Sequence, residues 1–399
     1  MFDFHQILKA MLDVSDKVSD LIFSPGRPPQ VELIGDLTPV AIPGLEKLLP
    51  EHTAWIGDLL IAGNAAAVES LEKWGSADVS YSLPGRSRFR VNVFKQRGTI
   101  AIVMRVIPNK IPTFEELRLP PQLAEIAKLK NGIVLVTGPT GSGKSSTLAA
   151  IIDLINETRK YHIVTIEDPI EFLHPHKLST VHQRELHTDT ANFANALRAA
   201  LRQAPKVILV GEMRDLETVE VALEASETGH LVFSTLHTTD ASKTVERIIG
   251  IFPKSQEQII RTRLAASFRW IVSQRLIRRA DGKGRVAAIE ILKSTMRTRE
   301  YILKGEQDGK SLLDAMRQGD MDGMQDFDSV LEQLIREGTI STEDGLAYAT
   351  NRHNLQLQLS DVGSGSGATQ DQRASQQPTG PLPAILPANS GSLLDMIER

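Results

Sequence analysis

Residues Gly138-Pro139-Thr140-Gly141-Ser142-Gly143-Lys144-Ser145 follow the apolar run Ile133-Val134-Leu135-Val136 and carry the pattern GxxxxGK[ST]. Each residue type in that pattern answers to the chemistry of a phosphate chain. Gly141 and Gly143 let successive backbone N–H groups turn inward around phosphate oxygens. Lys144 brings a positive charge to the β- and γ-phosphates, and the Ser145 hydroxyl reaches Mg²⁺. A helix expected over residues 145–156 aims its positive dipole end at the same anion. A glycine turn joining any strand to any helix has no need of the whole pattern. The motif therefore points to a nucleoside triphosphate with Mg²⁺, held by Pro139, Thr140, Gly141, Ser142, Gly143, Lys144, Ser145 and Ser146.

Other polar residues sort by one rule: in a parallel α/β sheet, ligands gather outside the carboxyl ends of the strands. Strands are expected at 133–136, 163–166, 207–210 and 231–235. Glu167, Asp168, Pro169 and Glu171 follow the second, Gly211 to Asp215 follow the third, and His237 follows the fourth. Phosphoryl transfer needs water and metal positioned more than it needs covalent chemistry. Glu212, ending a buried apolar strand beside the loop, is the first candidate for that work and for holding the metal with Ser145. Glu171 is the second, and the division of base and metal roles between them stays open. Asp168 before Pro169 can simply start a turn, and Asp215 can simply cap the helix beginning at Leu216. His230 and His237 lie roughly 20 Å apart along an extended strand. Only His237 falls on the nucleotide edge, where it can sense a γ-phosphate; His230 suits packing or a subunit contact.

Elements that must position these groups are legible around them. From about Leu123 strands alternate with helices, such as 193–202 and 216–228, the latter stopped by Gly229. That alternation means a mainly parallel sheet covered by helices. Beyond Pro253 the chain is expected to be mainly helical, ending in a helix pair at 327–336 and 341–350. The first hundred or so residues read as a smaller α+β unit. A helix at 4–12 leads to strand pieces at 31–34 and 38–40, then a helix at 55–74. A hairpin follows, with Phe89, Val91 and Val93 alternating with polar neighbours, a turn at 95–98 and a return strand at 100–106. Arg88 and Arg90 share its polar face, and Arg105 lies on the return strand; such a face is either solvated or completes a triphosphate site.

Composition sets the outer bounds. At 399 residues there is room for two domains and a tail. Boundaries are expected at 1–107, a proline-marked linker at 108–121, the nucleotide domain at 122–358, and a Gly/Ser/Gln/Pro-rich disordered tail at 359–399. Net charge is −4, so nothing drives the chain toward nucleic acid. The absence of cysteine excludes disulfides and cysteine zinc sites. No stretch approaches the roughly 18 apolar residues of a membrane span, and a cytoplasmic protein is expected.

Four blocks together resemble a known family. They are the phosphate loop, Ile166 to Phe172, Leu209 to Asp215, and Glu227 to Leu231 with Thr235 to Thr238. They look like the Walker A, Asp box, Walker B and His box of the type II/type IV secretion ATPases. Gly211 before Glu212, where a standard Walker B has aspartate, fits that superfamily. Within it the chain is most similar to the pilus retraction motors of the PilT/PilU family. The likeness runs from about Ser19 to Asn354 and includes 89–94, Gln183-Arg184-Glu185, Val272 to Leu276 and Gly323 to Asp328. It implies a PAS-like domain before a RecA-like ATPase domain with C-terminal helices, assembled as a homohexamer that hydrolyses ATP. It also implies that Arg90 and Arg105 reach the nucleotide, including across a subunit boundary. Further implied partners are an inner-membrane pilus platform protein and a paralogous retraction ATPase, met at the inner face of the cytoplasmic membrane. Assembly and secretion motors typically carry a tetracysteine zinc module, which this chain lacks. Departures lie at Asp20-Leu21-Ile22 and at Arg297 to Gly305, and Asp281 to Glu290 leans toward PilU. A principal motor, an accessory subunit, and an assembly or secretion ATPase are the readings left.

Overall fold

The computed structural model describes residues 3–108 and 110–361. Chain order in the N-terminal part is α1 (Phe4–Leu12), β1 (Val18–Phe23), β2 (Gln30–Leu33), β3 (Asp36–Pro39), α2 (Pro50–Ile61), α3 (Ala65–Trp74), β4 (Ser76–Leu83), β5 (Ser87–Gln96) and β6 (Thr99–Ile107). The strands form one antiparallel sheet in the order β3-β2-β1-β6-β5-β4. Alternation in β5 decides which face is buried: Phe89, Val91 and Val93 enter a core with Leu8, Met11, Phe23 and Ile56, while Arg88, Arg90 and Asn92 take the other side. Arg97 and Gly98 both adopt positive φ, 47° and 75°, between β5 and β6, the two-residue turn that matches strand twist. The single helix expected at 55–74 is two helices. Gly63 at φ 82° breaks it, and the Asn64 side chain caps α3 by accepting from the Ala67 amide.

The second sheet is built from β7 (Gly132–Thr137), β8 (His162–Glu167), β9 (Thr180–Glu185), β10 (Val207–Val210), β11 (Leu231–Leu236), β12 (Phe268–Arg278) and β13 (Arg285–Lys293). Its order is β13-β12-β7-β11-β10-β8-β9, parallel except for β13. Helices α4 (Lys144–Thr158), α5 (Phe193–Ala200), α6 (Leu216–Glu227), α7 (Ala241–Gly250), α8 (Glu257–Ser267), α9 (Met296–Lys304) and α10 (Leu312–Arg317) cover its two faces. Both faces of β7 are consequently apolar. Val134 and Val136 pack with Leu148, Ile151 and Ile155 of α4. Ile133 and Leu135 pack in the core that holds Val219 and Leu223 of α6.

Helices predominate beyond Pro253, as expected. The region also holds strands that the sequence reading did not place: β12 and β13 form a long hairpin that extends the sheet beside β7. β9 was not foreseen either: it is a polar edge strand in which only Val181 and Glu185 are buried. The chain continues through α11 (Phe327–Arg336), α12 (Thr342–Ala347) and α13 (Arg352–Asp361). The rest of the tail expected at 359–399 lies outside the described residues. Among the described residues no helix is long and apolar enough to cross a membrane.

Candidate active site

Parallel register brings the ends of β7, β8, β10 and β11 to one edge, with Val210 opposite both Ile166 and Ser234, and Thr137 opposite Leu236. The phosphate loop leaves β7 there. Gly138 has φ 142° and is hemmed in: a Cβ would stand 2.4 Å from the Gln274 carbonyl oxygen and 2.6 Å from Ser142 Oγ. A side chain cannot fit, so the loop can pass close to β12 only as glycine. Gly141 and Gly143, at φ 77° and 91°, have nothing within 4 Å of where a Cβ would lie. Open space on that side and a tight wall on the other make a cradle. Gln274 secures the wall by donating from Nε2 to Thr147 Oγ1 of α4 at 2.9 Å.

The donors of the cradle suit a polyphosphate. Lys144 Nζ donates to the carbonyls of Gly138 at 2.8 Å and Pro139 at 3.0 Å. Burial pushes its ammonium below the usual lysine range, and the Glu212 carboxylate pulls it back up. Ser142 is buried, and its Oγ has no hydrogen-bond partner among the described residues. A buried hydroxyl without a partner is costly, and phosphate oxygens would satisfy it. Pro139, Thr140, Gly141 and Ser145 are exposed, while Gly143 and Ser146 are half-buried.

Glu212 is the centre of a cluster. Its Oε1 lies 2.6 Å from Arg214 Nε and 3.4 Å from His237 Nε2, with the side chain 17% exposed. The structure thus brings Glu212, His237 and Lys144 to one place, and adds Arg214, which sequence reading left out of the site. Gly211 has a physical reason: a Cβ there would meet the Ile166 carbonyl at 3.3 Å, so an aspartate would crowd the neighbouring strand. Thr235 Oγ1 donates to the Gly211 carbonyl at 2.6 Å and ties β11 to this turn.

Glu171 lies on the same edge and is exposed. The buried carboxylate beside it is Glu167, which accepts from Thr165 Oγ1 at 2.6 Å, Gln183 Nε2 at 3.1 Å and the Glu171 amide at 3.4 Å. Burial outweighs these bonds and lifts its carboxyl above the usual range. Asp215 caps α6 by accepting from the Thr218 amide. His230 sits at the opposite edge, its ring 3.0 Å from the Ala225 carbonyl at the end of α6.

Arg90 and Arg105 face each other across β5 and β6. Arg90 is exposed; Arg105 is 70% exposed and pairs through Nε with Asp20 at 3.0 Å. A different arginine joins the N-terminal sheet to the nucleotide edge: Arg88 pairs with Glu185 at 3.1 Å. Its residue type and face were legible, but its partner comes from the unforeseen strand β9.

A RecA-like sheet, a complete phosphate loop and the Glu212 carboxylate after β10 on the same sheet edge define a P-loop ATPase. The chain belongs to the type II/IV secretion system protein family, whose model matches residues 77–344. It is 45% identical over 337 residues to the type IV pilus retraction ATPase PilT of Pseudomonas aeruginosa, covering 84% of this chain and 96% of that one. The type IV pilus ATPase PilU of the same organism is 39% identical over 366 residues, covering 92% and 93%. A crystal structure of the pilus retraction motor PilT with bound ADP superposes with a TM-score of 0.78 at 41% identity, covering 90% of this chain and all of that one. The Legionella pneumophila ATPase DotB gives a TM-score of 0.73 at 29% identity, covering 90% and 96%.

Proposed function

We propose that this chain hydrolyses ATP to drive retraction of type IV pili, working as a homohexamer at the inner face of the cytoplasmic membrane. The observation that carries this reading is the likeness to pilus retraction ATPases through both sheets, with the phosphate loop and Glu212 cluster intact. Lys144 binds the β- and γ-phosphates, and Ser142 supplies the buried hydroxyl of the cradle. Mg²⁺ would be held by Ser145 and Glu212 and would neutralise charge on the phosphates. Glu212 and Glu171 orient the attacking water, and His237, already against Glu212, senses the γ-phosphate. Arg90 and Arg105, both exposed, are the residues we assign to contact the nucleotide of a neighbouring subunit. Hydrolysis in one subunit would then move its N-terminal sheet and, through a platform protein in the inner membrane, withdraw pilin.

The test is pilus number and retraction in cells lacking this chain, complemented with wild type or Lys144→Ala. Abundant pili that fail to retract, restored by wild type alone, support the reading. Bald cells would point to pilus assembly instead. Full rescue by Lys144→Ala would make the chain an accessory subunit.

A further inference from the structure

Three side-chain ties hold Ile170, Glu171 and Phe172 in the loop between β8 and β9, and one of them is reached from the other sheet. Glu167 accepts the Glu171 amide at 3.4 Å. Gln183 Nε2 donates to the Phe172 carbonyl at 2.8 Å. Glu185 Oε2 accepts the Ile170 amide at 3.0 Å. Glu167 and Glu185 stand opposite each other at the ends of β8 and β9, so two carboxylates grip adjacent amides of one short loop.

Glu185 has a cation beside it, and Glu167 has none among the described residues. Arg88 NH2 lies 3.1 Å from the same Glu185 Oε2 that holds Ile170, with side chains 17% and 4% exposed. Arg88 NH1 donates to Ser82 Oγ at 3.0 Å, which braces the guanidinium against β4. Its Nε is buried and has no partner among the described residues. The guanidinium is therefore aimed by its ion pair with Glu185 and by the single hydrogen bond to Ser82. The carboxylate in turn depends on the arginine: one amide bond does not compensate a charge so deeply buried.

We infer that Arg88 and Glu185 are a positioning pair through which the N-terminal sheet sets the loop carrying Glu171 on the nucleotide edge. When the sheet moves away, Arg88 leaves, Glu185 is left as an unpaired buried charge, and its grip on Ile170 is lost. Glu171 then drifts from the reacting phosphate. This rests on the proposed part of Glu171 in orienting water. The pair touches neither nucleotide nor water itself, so its effect is on turnover and not on binding.

Steady-state ATP hydrolysis by the purified full chain tests this, with Arg88→Ala, Arg88→Lys, Glu185→Gln, the Arg88→Ala/Glu185→Gln double variant, and Lys144→Ala. Arg88→Ala should lower kcat by about tenfold to a hundredfold, the scale of small misplacements, with KM for ATP within about threefold. Glu185→Gln keeps an acceptor for Ile170 and loses the charge, so it should fall part of the way. The double variant should be no slower than Arg88→Ala, since both remove one interaction. Arg88→Lys, which keeps a cation within reach, should recover part of kcat. Unchanged kcat in both single variants, losses that multiply in the double, or a raised KM at constant kcat would each overturn the pair. Wild-type turnover by Lys144→Ala would break the ATPase reading itself; an inactive Lys144→Ala beside a fully active Arg88→Ala breaks only the inference.

Discussion

Glu290 offers a sharp test of how burial and hydrogen bonding compete in this fold. The residue lies in β13, 2% exposed, and accepts the amide of Ala241, the first residue of α7, at 2.8 Å. Ala241 follows directly on the turn that carries His237 to Asp240. A carboxylate at a helix N-terminus is normally favoured in its charged form. Here burial wins: it raises the carboxyl from 4.5 to about 7, with Asp240 adding to the rise, against the Ala241 amide, Ser273 and Arg275, which lower it. A raised acid binds more protons folded than unfolded, so its stabilising contribution is complete below pH 4.5 and is lost as pH rises through about 7. At about 1.4 kcal/mol per pH unit, the full loss is about 3 kcal/mol, of which about 2 kcal/mol falls between pH 5.5 and 8. Glu290→Gln keeps an acceptor for Ala241 and removes the ionisation. Urea unfolding of both proteins should show the variant gaining about 2 kcal/mol on wild type between those pH values. Parallel stability curves, or a variant that gains on wild type toward acid, would refute the reasoning.

Three further perturbations follow from the site and the core. Gly138→Ala places a Cβ 2.4 Å from the Gln274 carbonyl, so a fluorescent ATP analogue should bind at least about tenfold more weakly, a shift of about 1.4 kcal/mol. Glu212→Gln should leave analogue binding within about threefold while kcat falls by about a hundredfold or more, measured by phosphate release. Phe233, fully buried in the core against α4, should cost about 3–5 kcal/mol on Phe233→Ala, read from urea midpoints.

Most of the nucleotide site is a local matter, which is why it can be read from residues in order. The phosphate loop is a strand, a turn and a helix contiguous in the chain, and its glycines, Lys144 and Ser145 need no distant partner to be recognised. Glu212 and His237 follow from one geometric rule, because parallel strands end on one edge whatever covers them. The β5–β6 hairpin was equally legible, since its alternation and its turn lie within twenty or so residues. The break at Gly63 was not, because an isolated glycine inside an apolar helical pattern is ambiguous until Asn64 is seen capping the next helix.

Tertiary structure alone decided the rest. Strands β12 and β13 are mixed apolar and polar runs that gain their identity only by pairing with each other and with β7, and pairing energy is non-local. β9, polar along most of its length, is a strand only because β8 offers it an edge. What closes Gly138 to any side chain is the carbonyl of Gln274, 136 positions away in the chain. The sequence left Arg88 on a strand face that was either solvated or part of a triphosphate site; pairing with buried Glu185 ties it to the nucleotide edge. Residue types determined what chemistry the chain can perform, because phosphate, metal and proton answer to functional groups. Which of those groups meet was settled by the packing of two sheets, because burial and charge pairing depend on what stands opposite.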